Sequence, residues 1–189
     1  MVLKDINLMS LDLEMNQPSG KIIQIGYCVN NLVSGELKHS SSIIINPDEQ
    51  LTNFIINLTG ITQEEADSGR TLTSGYAELI EIHQSFGCFR NPLVWGGGDS
   101  DCLRKQLGIE DTDKFLFGRR WLDVKTVFIA RCMSESKNFR CGLGKAIQRL
   151  GMKFEGRKHN AKDDALNTFR VYRHLLTEFK PVTLGDVIK

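Results

Sequence analysis

The run SLDLE at 10–14 sets two carboxylates, Asp12 and Glu14, two residues apart. In an extended strand alternate side chains leave the same face, so both acids share one patch while Leu11, Leu13 and Met15 point to the other side. Two crowded anions repel, and a hard divalent ion such as Mg²⁺, which prefers carboxylate oxygen, relieves the repulsion. A D-x-E pair alone equally describes a strand with one solvated face. Asp99 and Asp101 form a second set in VWGGGDSD, where three glycines permit close approach of backbone or ligand. Either Asp99 or Ser100 can cap the helix that follows; with Asp99 as the cap, Asp101 stands in the first turn and looks back across the strand end. Both acids can also be plain capping residues.

The third set is HNAKDDALNTFRVYRHLL, beginning at His159. Helical geometry separates its two aspartates. Asp164 shares a stripe with Thr168, Val171 and Leu175 and points toward the sheet, whereas Asp163 shares its stripe with Asn167, Arg170 and His174 and faces solvent. A carboxylate on the apolar side of an amphipathic helix destabilises the fold unless a partner meets it, and a metal ion is such a partner. His159 lies in a loop with Arg157 and Lys158; a lone histidine in such a loop is more often inert.

The elements that must position these groups are readable from periodicity and turn residues. The runs 6–15 and 21–29 are β-rich and separated by NQPSG, which makes a hairpin, and a third run at 41–46 ends at Pro47. Helical spacing follows in TLTSGYAELIEIHQSFG, with Leu79, Ile80, His83 and Phe86 on one side. NPLVWGGG at 91–98 is a short buried strand, a helix opens at Ser100, and WLDVKTVF is a strand or short helix. GLGKAIQRLG is helical, and over 161–179 Ala165, Phe169, Tyr172, Leu176 and Phe179 recur at three- and four-residue steps. Three antiparallel strands followed by alternating helices and strands give a mixed sheet flanked by helices, an α/β domain.

Totals narrow the function classes. With 189 residues, 41% hydrophobic and 25% charged, one compact domain is expected. The five cysteines are scattered without a C-x-x-C pair, which argues against a disulfide framework and a thiolate zinc site and fits a reducing, cytoplasmic setting. The first residues lack the pattern of a secretory signal, and no apolar run approaches the ~20 residues that span a bilayer. Charge is polarised: seven basic and 16 acidic residues over 1–113 give −9, while 13 basic and three acidic over 114–162 give +10. Such asymmetry suits a phosphate-binding face beside a cation-binding one, though segregated surface charge produces it too.

Taken in order, the three acidic sets resemble the motifs of the DEDDh (DnaQ-like) 3′-5′ exonucleases of the ribonuclease H-like fold. SLDLE matches the first motif, WGGGDSD the second, best aligned at Asp101, and HNAKDDA the third. INP at 45–47 and NLTGIT at 57–62 look like the family's segment after the third strand, and GLGKAIQRLGMKFEGRKHNAKDDALN is similar to the ERI-type branch and its bacterial relatives. The resemblance implies a five-stranded mixed sheet, an exonuclease domain over 1–180 and a short tail at 181–189. It also implies that Asp12, Glu14, Asp101 and Asp164 hold two divalent ions, Mg²⁺ or Mn²⁺, with His159 as general base. Leu13, Met15 and Asn16, and Leu58, Thr59 and Ile61 in the NLTGIT segment, would border the terminal nucleotide. After Glu14 many members carry threonines and glycine where this chain has Met15 and Asn16.

The activity so implied is metal-dependent hydrolysis at single-stranded or frayed 3′ ends of RNA or DNA, the ERI-type similarity favouring RNA. Nucleoside 5′-monophosphates would be released, and Arg119, Arg120, Arg140, Lys145, Arg149, Arg157 and Lys158 would track upstream phosphates. Two other readings keep the fold: a module that binds nucleic acid or protein without full catalysis, and a proofreading or maturation subunit of a larger assembly.

Overall fold

The computed structural model describes residues 6–111, 115, 117, 118, 120–133 and 141–178. The expected tail, Phe179, Arg119 and Arg140 lie outside these residues. A five-stranded sheet has the order β3-β2-β1-β4-β5. Strands β1 (Asn7–Met15), β2 (Ile22–Asn31) and β3 (Leu37–Ile44) form the expected antiparallel meander, while β4 (Leu93–Val94) and β5 (Leu122–Asp123) add in parallel beside β1. The helices are α1 (Asn53–Thr59), α2 (Gln63–Asp67), α3 (Leu72–Ser85), α4 (Asp99–Gln106), α5 (Val124–Cys132), α6 (Leu143–Arg149) and α7 (Ala161–Glu178).

Strand β1 is central, and its two faces feed two cores. Met9, Leu11 and Leu13 join Leu79 of α3, Leu103 of α4 and Phe115 and Phe117. Leu8, on the other face, joins Val124 and Phe128 of α5, Ala146 and Ile147 of α6 and Ala165, Phe169 and Val171 of α7. Period 2 therefore places Asp12 and Glu14 on the face that α7 covers.

One glycine brings α7 down onto that face. Gly26 of β2 pairs with Asp12 across the ladder. A Cβ at Gly26 would collide with the backbone of Ala161 and Lys162, so the missing side chain is what lets the first turn of α7 lie on the sheet. Gln24, two residue pairs along the ladder, accepts the Ala161 N–H at 3.1 Å and fixes the contact. Helices α1 and α2 were not expected from periodicity. Each has a threonine N-cap, Thr52 or Thr62, and α2 adds a reciprocal capping box with Glu65.

Candidate active site

Four carboxylates meet where the C-terminal end of β1, the start of α4 and the first turn of α7 converge. Strand β1 supplies Asp12 and Glu14; Asp164 descends from α7; Asp99 arrives from the glycine turn after β4. Burial raises the Asp12 carboxyl well above the usual range, and the charges of Asp99, Asp164 and Glu14 raise it further. Glu14 is pushed up to about 7 by burial and then by Asp164 and Asp99. Asp99 is pushed to about 7 by burial, with Asp123 adding to the shift. Asp164 rises to about 6 by burial, partly countered by a hydrogen bond from the His159 backbone. Among the described residues no lysine or arginine is ion-paired with Asp12, Glu14 or Asp99. Each acid is thus disfavoured as an anion by its surroundings and by its neighbours.

The second motif has a different residue inward from the one the alignment favours. Gly98, without any side chain, is the N-cap of α4, so the helix begins at Asp99 and Asp101 falls two residues further round the first turn. The Asp101 side chain is 67% exposed and lies 3.7 Å from Arg104, on the outer face. It is Asp99 whose charge bears on Asp12 and Glu14. The glycine turn is held by a residue that sequence reasoning passed over: Asp123 accepts the Gly96 N–H at 3.0 Å and also caps α5 through the Lys125 and Thr126 N–H groups. Its only sequence signal is its place just before an apolar helical run.

In the third motif Asn160 caps α7, its side chain accepting the Asp163 N–H and its carbonyl the Asp164 N–H. The two aspartates then hold the preceding loop. Asp163 accepts the Arg157 N–H at 2.8 Å, and Asp164 accepts the His159 N–H at 2.9 Å. His159 sits at φ 61°, a left-handed conformation that costs a side-chain-bearing residue energy and persists only when its surroundings hold it. Glu14, His159 and Asp164 each offer a ligand atom within 4.8 Å of the others'. Asp163 is not the solvated residue expected: its side chain is 20% exposed, and Asn167 on the same stripe is fully buried, gripping Glu155 and the Asp163 carbonyl. Asp163, Asn167 and Arg170 of that stripe pack on residues 153–157 and are at most partly open to water.

The residues expected to border a substrate divide in two. Met15 and Leu58 are half-buried: Met15 packs beside Cys102 of α4 on the core that holds Leu11 and Leu13, and Leu58 packs against Ile55 and Ile61. Asn16 is consumed by the fold: its amide donates to Glu49 and the Gln50 carbonyl and accepts the Thr52 N–H, which ties the end of β1 to the N-cap of α1. Thr59 is likewise consumed, donating to the Ile55 carbonyl and accepting the Ile61 N–H, while Leu13 and Ile61 are buried in the cores. Phe54, four residues before Leu58 on α1, is 60% exposed and was missed because α1 was not foreseen. Beside His159 and Asp164, a groove of about 300 Å³ runs between Lys158 and Lys145, floored by Leu143 and Phe154. Arg120 and Arg149 are exposed elsewhere.

Residues 9–172 match the RNase_T family, described as an exonuclease. The chain is 25% identical over 174 residues to ERI1 exoribonuclease 2 of Mus musculus, covering 79% of this chain and 24% of that protein. It is 26% identical over 166 residues to the 3'-5' exonuclease Snipper of Drosophila melanogaster, covering 78% of this chain and 58% of that one. The fold superimposes on the nuclease domain of 3'hExo, described as a DEDDh family member bound to rAMP, with a TM-score of 0.79 and 21% identity over 93% of this chain and 94% of that domain. The chain spans between 24% and 33% of the length of the first three curated relatives.

Proposed function

The chain is a DEDDh member of the RNase_T exonuclease family, and from that premise we propose that it hydrolyses nucleic-acid strands from the 3′ end, releasing nucleoside 5′-monophosphates. The observation that carries this reading is the convergence of Asp12, Glu14, Asp99 and Asp164 in one half-buried pocket, each held above its ordinary pKa, beside His159. Such a donor set fits divalent cations: its oxygens are hard ligands, and added positive charge would return the crowded acids to their ionised forms. Asp12, Glu14, Asp99 and Asp164 would hold two such ions, Mg²⁺ or Mn²⁺, whose chemistry when bound is to acidify water and to stabilise charge on the leaving oxygen.

The chain's own groups then divide the work. His159 takes the proton from the attacking water, a task suited to an imidazole, and the Asp164 hydrogen bond to its N–H fixes the ring's origin. Water oxygen bonds to the phosphorus of the last phosphodiester, the bond to the 3′ oxygen breaks, and that oxygen departs with the electron pair. That oxygen takes up a proton from solvent, so the strand left behind carries a new 3′ hydroxyl. On α1 the half-buried Leu58 and the exposed ring of Phe54 would offer the apolar wall against which the terminal base stacks. Lys158 and Lys145, flanking the groove, take the upstream phosphates, so binding weakens steeply with salt. RNA is the first substrate proposed, because the curated relatives carry the name exoribonuclease.

The test is incubation of 5′-labelled single-stranded RNA and DNA with Mg²⁺, with Mn²⁺ and with a chelator. The reading expects a ladder shortening from the 3′ end, mononucleotide products bearing 5′ phosphate, and arrest by the chelator. Internal fragments, or products with 3′ phosphate, would rule it out.

A further inference from the structure

Arg157 lies two residues before His159, but its side chain turns away toward α1. There its guanidinium donates to the Leu58 carbonyl at 3.2 Å. That carbonyl stands at the C-terminal end of α1, where backbone acceptors lack intrahelical partners and positive charge is favoured. The helix closes at Gly60 with φ 79°, and a Cβ there would run into the guanidinium, so the side chain lies flat over the turn. At its other end the Arg157 backbone is held by Asp163 and that of His159 by Asp164. The paired aspartates of α7 thus anchor the loop, and Arg157 carries that anchorage across the cleft to the wall that holds Leu58 and Phe54.

We infer that Arg157 is a positioning residue: it ties the α1 wall that receives the terminal nucleotide to the loop that presents His159, so that both sides of the cleft keep one spacing. This rests on the exonuclease reading for its consequence in turnover, but the tie itself is a property of the fold. It differs from the role of phosphate contact that basic residues near the site would otherwise be given. A planar fork with fixed geometry suits the task, since it meets the carbonyl and covers Gly60 at once; a lysine ammonium on a flexible stem does not.

Hydrogen exchange and kinetics on the full chain separate these possibilities. In R157A, amide protection should fall together in residues 53–61 and 157–160, and R157K should resemble R157A. The value of kcat/KM on single-stranded RNA should drop on the order of tenfold, the size expected when a reacting group drifts by a fraction of an ångström. The dependence of log affinity on log salt should keep its slope. G60A, which pushes the guanidinium off the turn while leaving its charge, should cost less activity in the R157A background than in the wild type. Exchange confined to 157–160 would overturn the tie. So would a salt slope reduced by about one with activity restored in R157K, which marks a phosphate contact. The coupled loss of protection in R157A, together with a wild-type protein that digests no strand, would sink the exonuclease reading and leave the tie standing.

Discussion

Replacing Asp99 with asparagine should make the metal-free protein more stable at pH 8, although it removes a residue assigned to the reaction. A carboxyl whose pKa is higher in the folded chain than in the unfolded one binds more protons when folded, so stability declines as pH rises between the two values. For Asp99 these are 3.8 and about 7. That gap corresponds to about 4 kcal/mol of native-state penalty at pH 8, and allowing for relaxation and water access halves it to about 2 kcal/mol. For a chain of this size such a change moves Tm by roughly 4–8 °C. Asp99→Asn in excess chelator should therefore raise Tm by about that much at pH 8 and by only about 2–3 °C at pH 5, where the folded acid is protonated and the unfolded one is already largely ionised. Asp101→Asn, at an exposed carboxylate facing Arg104, should leave Tm within about 1 °C at both values. Differential scanning fluorimetry at the two pH values reads both variants. Equal shifts for the two, or a larger one for Asp101→Asn, would refute the assignment of Asp99 as the inward acid.

In wild-type protein the same linkage makes Mg²⁺ raise Tm more at pH 8 than at pH 5, since protons and cations compete for Glu14 and Asp99, both near pKa 7; an equal rise at both, read by the same melts, would count against a carboxylate site. Gly26→Ala should displace the first turn of α7, lowering Tm by several degrees and slowing strand digestion on the order of 100-fold, because its Cβ meets backbone that cannot swing aside. His159→Ala should slow turnover about 10²- to 10⁴-fold with Mn²⁺ affinity nearly kept; calorimetry showing lost affinity would make His159 a ligand instead. Asp163→Asn keeps an acceptor for the Arg157 N–H and should retain most activity, whereas Asp163→Ala should lose about tenfold and Asp164→Asn nearly all; steady-state rates compare the three. Asn16→Ala should cost about 1–3 kcal/mol of stability in a denaturant titration without a selective rise in KM, as befits a structural amide.

Much of the site was legible because its parts obey short-range rules. Strand alternation paired Asp12 with Glu14, and helical periodicity chose Asp164 over Asp163 as the inward acid. Asp99 was misplaced because the deciding event is where α4 begins: with Gly98 as an uncapped start, the helix opens one residue earlier than Ser100 and turns Asp101 outward. The solvated face assigned to Asp163 failed for a tertiary reason, since residues 153–157 fold back over the Asn167 and Arg170 stripe. Helix α1 is seven residues long, too short to show a period, and its existence was the missing premise for Phe54 and for the tie from Arg157. The approach of α7 to β2 depends on the missing side chain of Gly26, whose meaning appears only once both elements are in contact.

The central claim, that Asp12, Glu14, Asp99 and Asp164 are the donors for two divalent ions, is tested most directly by anomalous diffraction from crystals soaked in Mn²⁺. Two anomalous peaks are expected, enclosed by those four carboxylates, with none beside Asp101. Peaks at Asp101, or a soaked pocket without manganese, would contradict it.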